Sequence, residues 1–224
     1  MAAPEPDVRA RLAGAWPLFG LVVRSEHLVL RIPIDEELLD LMDLALEGIH
    51  PPGEMPFGVA WSTIPSPLFE RNYLTYHWGN RATWSPDAWE LGLAASLDGR
   101  LIGMQGMHAR SFAVHRTIGT GSWLGRGTQG LGYGKEMRSA VLSLAFDGLG
   151  ARVAETEAFL DNHASLGVTR ALGYAENGLG SLAPEGVPRV TQRFRMTADD
   201  WRARPRPSVT IEGLDACREL FGAG

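Results

Sequence analysis

The run Gly125-Arg126-Gly127-Thr128-Gln129-Gly130-Leu131-Gly132-Tyr133-Gly134-Lys135 lies between two segments of different period. Before it, Thr117 to Leu124 reads as a glycine-containing strand. After it, Met137, Ala140, Val141, Leu144 and Ala145 fall at i, i+3, i+4, i+7 and i+8, which predicts an amphipathic helix from about Gly134 to Gly148. A glycine loop that opens a helix leaves backbone N–H groups unpaired at the positive end of the helix dipole, and phosphate suits that place. Glycines at 130, 132 and 134 let the backbone turn its N–H groups inward without meeting a Cβ. A plain strand-to-helix turn needs one or two glycines, whereas this one has five in ten residues.

Two phosphate-binding motifs fit poorly. A Walker A loop needs Gly where Gln129 stands, and Ser or Thr after the lysine, where Glu136 follows Lys135. Gly125-x-Gly127-x-x-Gly130 spells a dinucleotide fingerprint, but its glycines end four residues before the helix, and the next strand, Ala151 to Phe159, lacks a terminal acid for a ribose.

Working outward, His27 to Pro33 predicts a strand and Asp35 to Ile49 a helix closed by Pro51-Pro52-Gly53. A second helix is expected around Pro67 to Asn80. Trp89 to Leu97 and Leu101 to Ala109 read as strands joined by a tight turn at Asp98-Gly99. Beyond Ala151 to Phe159, Asn162 to Leu172 predicts a short helix closed by Gly173. Tyr174 to Leu182 and Arg189 to Met196 complete the strands.

Gln129-x-x-Gly132-x-Gly134, with Asn162-His163-Ala164-Ser165 and Leu172-Gly173-Tyr174 downstream, resembles the GCN5-related N-acetyltransferases (GNAT). The Asn-x-x-Ser variant and the strand end Trp123-Leu124-Gly125 are most similar to the branch of ribosomal-protein N-terminal acetyltransferases. The resemblance implies a single α/β (α+β) domain whose mixed, mostly antiparallel sheet of six or seven strands is flanked by helices and splays around the cofactor. It places an N-terminal extension at 1–24, the domain at 25–200, and a tail with a short helix at 201–224, joined by the Pro/Arg-rich bridge 203–207.

The same resemblance implies acetyl-CoA as co-substrate and an amine acceptor: a peptide N-terminus, a lysine or a small-molecule amine. Ser122, Trp123 and Leu124 are expected beside the pantetheine arm, with the Leu124 N–H aimed at the thioester carbonyl. Gln129, Gly130, Leu131, Gly132, Tyr133, Gly134 and Lys135 are expected at the pyrophosphate. Asn162 is either a pantetheine ligand or the N-cap of its helix. The tyrosine that many members place seven residues after the Asn is Thr169 here, leaving Ser165 as the candidate donor to the departing sulfur. Glu157, with Glu155 on the same strand face, is the expected general base; His108 and His115 are alternatives. Trp61, Trp78, Trp84, Trp89, Phe57, Tyr73 and Tyr76 are candidates for an acceptor slot. An acyl-CoA-binding module without turnover is the alternative, and a nucleotide-dependent oxidoreductase is a weaker one.

Composition bounds these readings. The 224 residues carry 21 Lys plus Arg against 26 Asp plus Glu, a formal charge of −5, so neither nucleic acid nor a membrane is expected as a partner. One cysteine, Cys217, and no Cys/His cluster of zinc-ligand spacing imply neither disulfide nor metal. Met1 to Asp7 lacks a basic leader, and the Trp16 to Val23 apolar stretch is too short to span a bilayer, so a cytoplasmic location is expected, with a homodimer left open.

Overall fold

The structure is a computed structural model describing residues 7–205 and 208–224; Met1 to Pro6, and Arg206 and Pro207 of the Pro/Arg-rich bridge, lie outside the described residues. Its strands are β1 (Val22–Arg24), β2 (Leu28–Arg31), β3 (Ala88–Leu97), β4 (Arg100–Arg110), β5 (Thr117–Leu124), β6 (Val153–Phe159), β7 (Ala175–Leu182), β8 (Arg189–Thr197) and β9 (Thr210–Glu212). They form one sheet in the order β7-β8-β6-β5-β4-β3-β2-β1-β9. Every neighbouring pair is antiparallel except β5 and β6. The count exceeds the expected six or seven because β1 and β9, three residues each, pair at one edge.

The helices are α1 (Val8–Ala15), α2 (Asp35–Leu46), α3 (Leu68–Ala82), the single turn α4 (Phe112–His115), α5 (Tyr133–Ser143), α6 (His163–Ala171) and α7 (Ala198–Arg202). Asp98 and Gly99 both take left-handed backbone, with φ 49° and 80°, which matches the right-handed twist of the hairpin they close. The stripe predicted for the central helix is fully buried, but α5 stops at Ser143 and a π-helical turn, Leu144–Gly148, carries the chain on to Gly150, whose φ is +70°.

Period-2 alternation gives the sheet two distinct faces. One carries Leu91, Leu93, Met107, Ile118 and Ala154 and is covered by α5, α6 and the chain's C-terminal segment. The other carries Ala94 and Met104 beneath Leu38 and Leu41 of α2 and Phe69 and Tyr73 of α3. Among the described residues no helix is long and apolar enough to cross a membrane, and no group of three or more His, Cys, Asp or Glu is placed to hold a metal.

The C-terminal segment is part of the core and not an appendage. Its short 3-10 helix, Asp215–Phe221, buries Cys217 and Phe221 completely. The indole N–H of Trp84 donates to the Leu220 carbonyl at 2.8 Å and that of Trp89 to the Phe221 carbonyl at 3.2 Å. The Phe221 ring meets Trp89 edge-on at 5.0 Å. Phe221→Ala is expected to cost about 3–5 kcal/mol, read as a lowered urea midpoint, because the cavity opens inside the main cluster. A loss below about 1 kcal/mol would show that this segment detaches without consequence for the core.

Candidate active site

β5 and β6 pair over three residues only, Thr117 to Gly119 against Val153 to Glu155. Beyond that point β5 stays with β4 and the two strands part. The Thr120 carbonyl accepts from Thr156 Oγ1 at 3.1 Å, and the Leu124 carbonyl accepts from Gln129 Nε2 at 2.8 Å, so even-numbered residues of β5 face away from β4. Strand alternation turns the N–H groups of Ser122 and Leu124 the same way, into the gap. Trp123 instead pairs with Met104, and its ring lies 6.0 Å from Trp61 on the α3 face.

At the open end of the gap stands the glycine loop. Gly130 and Gly132 are left-handed, with φ 76° and 93°, and nothing lies within 4 Å of where a Cβ would sit on either. The N–H groups of Gly130, Leu131, Gly132, Tyr133 and Gly134 donate to no described residue. Those of Lys135 and Glu136 are already bonded to the Gly132 carbonyl, so Lys135 brings only its exposed ammonium toward an anion. The Gln129 amide is likewise committed: it donates to the carbonyls of Ile49 and Leu124, both at 2.8 Å, and braces the loop against the end of β5. Glu136 anchors the start of α5 to the β1–β2 turn, accepting from Ser25 Oγ at 2.7 Å and the His27 N–H at 2.8 Å.

α6 closes the gap from the α5 face. Asn162 caps it, its Oδ1 accepting from the Ser165 N–H at 3.0 Å while its amide reaches the Pro56 carbonyl at 3.4 Å. Ser165 Oγ has no partner among the described residues, and Thr169 is fully buried, donating to the Ser165 carbonyl at 2.8 Å.

On the α3 face the gap adjoins a cavity of about 650 Å³ walled by the rings of Phe57, Trp61, Phe69, Tyr73, Tyr76 and Trp123. Its floor is a row of glycines: Gly92 pairs with Gly106, and Gly106 with Gly121, across β3, β4 and β5. Sequence reading missed this floor; glycine at inward positions of three strands was the signal. Four of the nominated aromatics, Phe57, Trp61, Tyr73 and Tyr76, line the cavity. Trp84 and Trp89 pack against Phe221 instead, and the Trp78 indole N–H points to Asp35 at 3.3 Å. The polar groups of the cavity include Glu90, which accepts from the Tyr76 hydroxyl, and His77, pushed down to about 4 by burial and then by the charge of Arg81.

Glu157 and Glu155 lie on the α3 face of β6, in a groove that continues past the gap and also holds His108, His115 and Arg193. Glu157 Oε2 accepts from Thr191 Oγ1 at 2.7 Å, with Arg193 Nε at 3.8 Å. His108 lies across Gly119 so closely that a Cβ there would overlap its ring, and it borders both groove and cavity. Ser165 and Glu157 therefore approach the gap from opposite sides of the sheet.

The family model for the acetyltransferase (GNAT) domain matches residues 28–175. The chain belongs to the GNAT family, enzymes that take an acetyl group from acetyl-CoA. Solved structures share the fold: a protein named as a probable acetyltransferase superposes with a TM-score of 0.66 at 21% identity, over 79% of this chain and 96% of its own. Mycobacterium smegmatis RimJ, solved in complex with CoA-disulfide, gives 0.65 at 18% over 90% and 94%. A GCN5-related N-acetyltransferase from Brucella melitensis gives 0.62 at 19% over 81% and 80%.

His77 generates a prediction about pH. Folded, it stays neutral down to about 4, whereas the unfolded chain takes a proton near the ordinary value of 6.5. Between those limits the unfolded state binds more protons, so this contribution to stability is present above pH 6.5 and is lost as pH falls toward 4. Thermal melts across that window should show a steeper acid loss for the wild type than for His77→Gln; parallel curves would remove His77 as the cause.

Proposed function

We propose that this chain transfers the acetyl group of acetyl-CoA directly to a primary amine whose body is apolar and ring-sized. The observation that carries the reading is the juxtaposition of the β5–β6 gap with five unpartnered N–H groups of the glycine loop. The gap supplies unpaired strand edges for an extended amide-bearing arm, and the loop supplies donors for its pyrophosphate. The residues thus fit acetyl-CoA.

In this reading Gly130 to Gly134 hold the pyrophosphate and Ser122 and Leu124 pair with the arm. The Leu124 N–H stabilises the oxyanion that develops on the thioester carbonyl. The acceptor lies on the glycine floor between the rings, and Glu157 takes the ammonium proton, directly or through a water, with Glu155 adding to the local negative charge. Asn162 fixes the start of α6 so that Ser165 Oγ can donate to the sulfur. Transfer is direct because the lone thiol is withdrawn: Cys217 is buried, donates to the Gly213 carbonyl at 3.3 Å and is pushed up to about 11 by burial. The walls support this acceptor class: six rings and a glycine floor bury apolar area along the body of the acceptor, where Glu90 is the cavity's own carboxylate, while Glu155 and Glu157 in the adjoining groove serve the amine end.

Acetyl-CoA at a hundred times its dissociation constant is expected to raise stability by about 2.7 kcal/mol, and NAD to have no effect. Gly132→Val should abolish that gain, because a side chain at φ 93° is strained and occupies the volume meant for phosphate oxygen. Stabilisation by NAD alone would overturn the reading. In an amine panel, arylalkylamines should exceed spermidine in kcat/KM; the reverse order would exclude the apolar acceptor.

Glu157→Gln keeps the Thr191 hydrogen bond but cannot take a proton. Turnover should fall roughly 10²- to 10⁴-fold with little change in acetyl-CoA affinity. Unchanged turnover across pH 6 to 9 would remove Glu157 from the mechanism.

A further inference from the structure

Arg138 is an arginine where the helix pattern calls for an apolar residue. It shares the buried stripe that runs from α5 into the following π-helical turn with Val141 and Ala145, at i, i+3 and i+7, and is 3% exposed. Among the described residues no carboxylate neutralises it. Its guanidinium donates instead to three neutral hydroxyls from three elements: Ser122 Oγ of β5 at 3.1 Å, Thr156 Oγ1 of β6 at 3.4 Å and Thr169 Oγ1 of α6 at 3.2 Å. Its Nε is buried with no acceptor among the described residues.

The one titratable group whose field reaches it among the described residues is Tyr174, a buried phenol pushed upward by its own desolvation and therefore neutral. Burial pushes the guanidinium down from its usual range, but a group that starts so high remains a cation. A buried cation left without a counter-charge is costly, and a cation held by neutral hydroxyls alone is poised for an anion that arrives later.

Ser122 and Thr156 stand on the two strands just past their last shared pair, so the guanidinium bridges the gap itself. We infer that Arg138 is a catalytic residue that stabilises the thiolate of coenzyme A as it leaves. This rests on the proposed placement of the donor in the β5–β6 gap. Glu157 first takes the ammonium proton and passes it to solvent; the free amine nitrogen then bonds to the carbonyl carbon, the C–S bond breaks with its electron pair staying on sulfur, and the second proton on nitrogen goes to Glu157, leaving a neutral amide and a thiolate. Arg138 keeps its own protons and lowers the energy of the sulfur anion through charge and through N–H donation, so no acid strong enough to protonate sulfur is required. Thr169 positions the guanidinium and does not replace an acid.

The test uses the intact protein with coenzyme A as the free thiol. Its ionisation when bound is followed by ultraviolet thiolate absorbance, with calorimetric affinity measured in parallel against pH. In the wild type the bound thiol should ionise at least about one pH unit below the thiol free in solution, so coenzyme A binds progressively more tightly than its desulfo analogue as pH rises. Arg138→Met should return the thiol to its free behaviour and lower kcat roughly 10²-fold or more while acetyl-CoA still binds. Arg138→Lys, which keeps charge but not the planar fork, should fall between.

A wild-type complex in which the bound thiol titrates as it does in water overturns the role of Arg138 while leaving the acetyltransferase reading intact, and needs no variant to fold. Failure of the wild type to bind coenzyme A overturns both.

Discussion

The parting of β5 from β6 after three residue pairs is the constraint on which the rest of the molecule depends. A sheet interior ordinarily satisfies its backbone groups strand to strand, and an internal edge is costly unless something meets it. Here side chains meet part of it: Thr156 caps the Thr120 carbonyl, Gln129 caps the Leu124 carbonyl, and Arg138 holds Ser122 and Thr156 from behind. What they leave open is a row of donors continuous with the unpaired N–H groups of the loop. The helices serve this opening, since α5 must begin where the loop ends and α6 where β6 ends, and both starts are fixed by side-chain bonds to Glu136 and Asn162.

Much of this was legible because it is local in sequence. The stripe of α5, the Asp98-Gly99 turn, the glycine loop and the Asn162 cap each depend on residues within a few positions of one another, so periodicity and turn chemistry suffice. The strand read over Thr117 to Leu124 coincides with β5, its end marked in the sequence by the glycine loop that begins at Gly125. The segment after residue 200 was harder to read: a short stretch set off by the Pro/Arg-rich bridge looks detached until Trp84 and Trp89, far back in the chain, are seen bonded to its carbonyls.

The site itself divided along the same line. The loop and the strand end could be located from motif and context, but which of their polar atoms are left free could not. Gln129 and Lys135 belong to the motif, yet the amide of one and the N–H of the other are committed inside the protein. Arg138 was hidden by the reverse circumstance. Its three hydroxyl partners come from three separate elements, and a charged letter inside an apolar stripe is easily read as a lapse of the pattern when it can mark a cation the core was built around.

The glycine floor carries a consequence for how such an enzyme can change over generations. The space above Gly121 is open, whereas a Cβ on Gly106 would press on the Gly121 carbonyl and one on Gly92 on the Met104 methyl. One codon change at position 121 could therefore raise part of the floor without disturbing the sheet, while its neighbours resist the same change. Because these positions lie on the face opposite α5 and α6, on the proposed placement of acceptor and donor the range of molecules admitted can drift while the donor side stays as it is. A lineage carrying this chain could acquire new acceptors by small, nearly neutral steps, with the chemistry of transfer inherited unaltered.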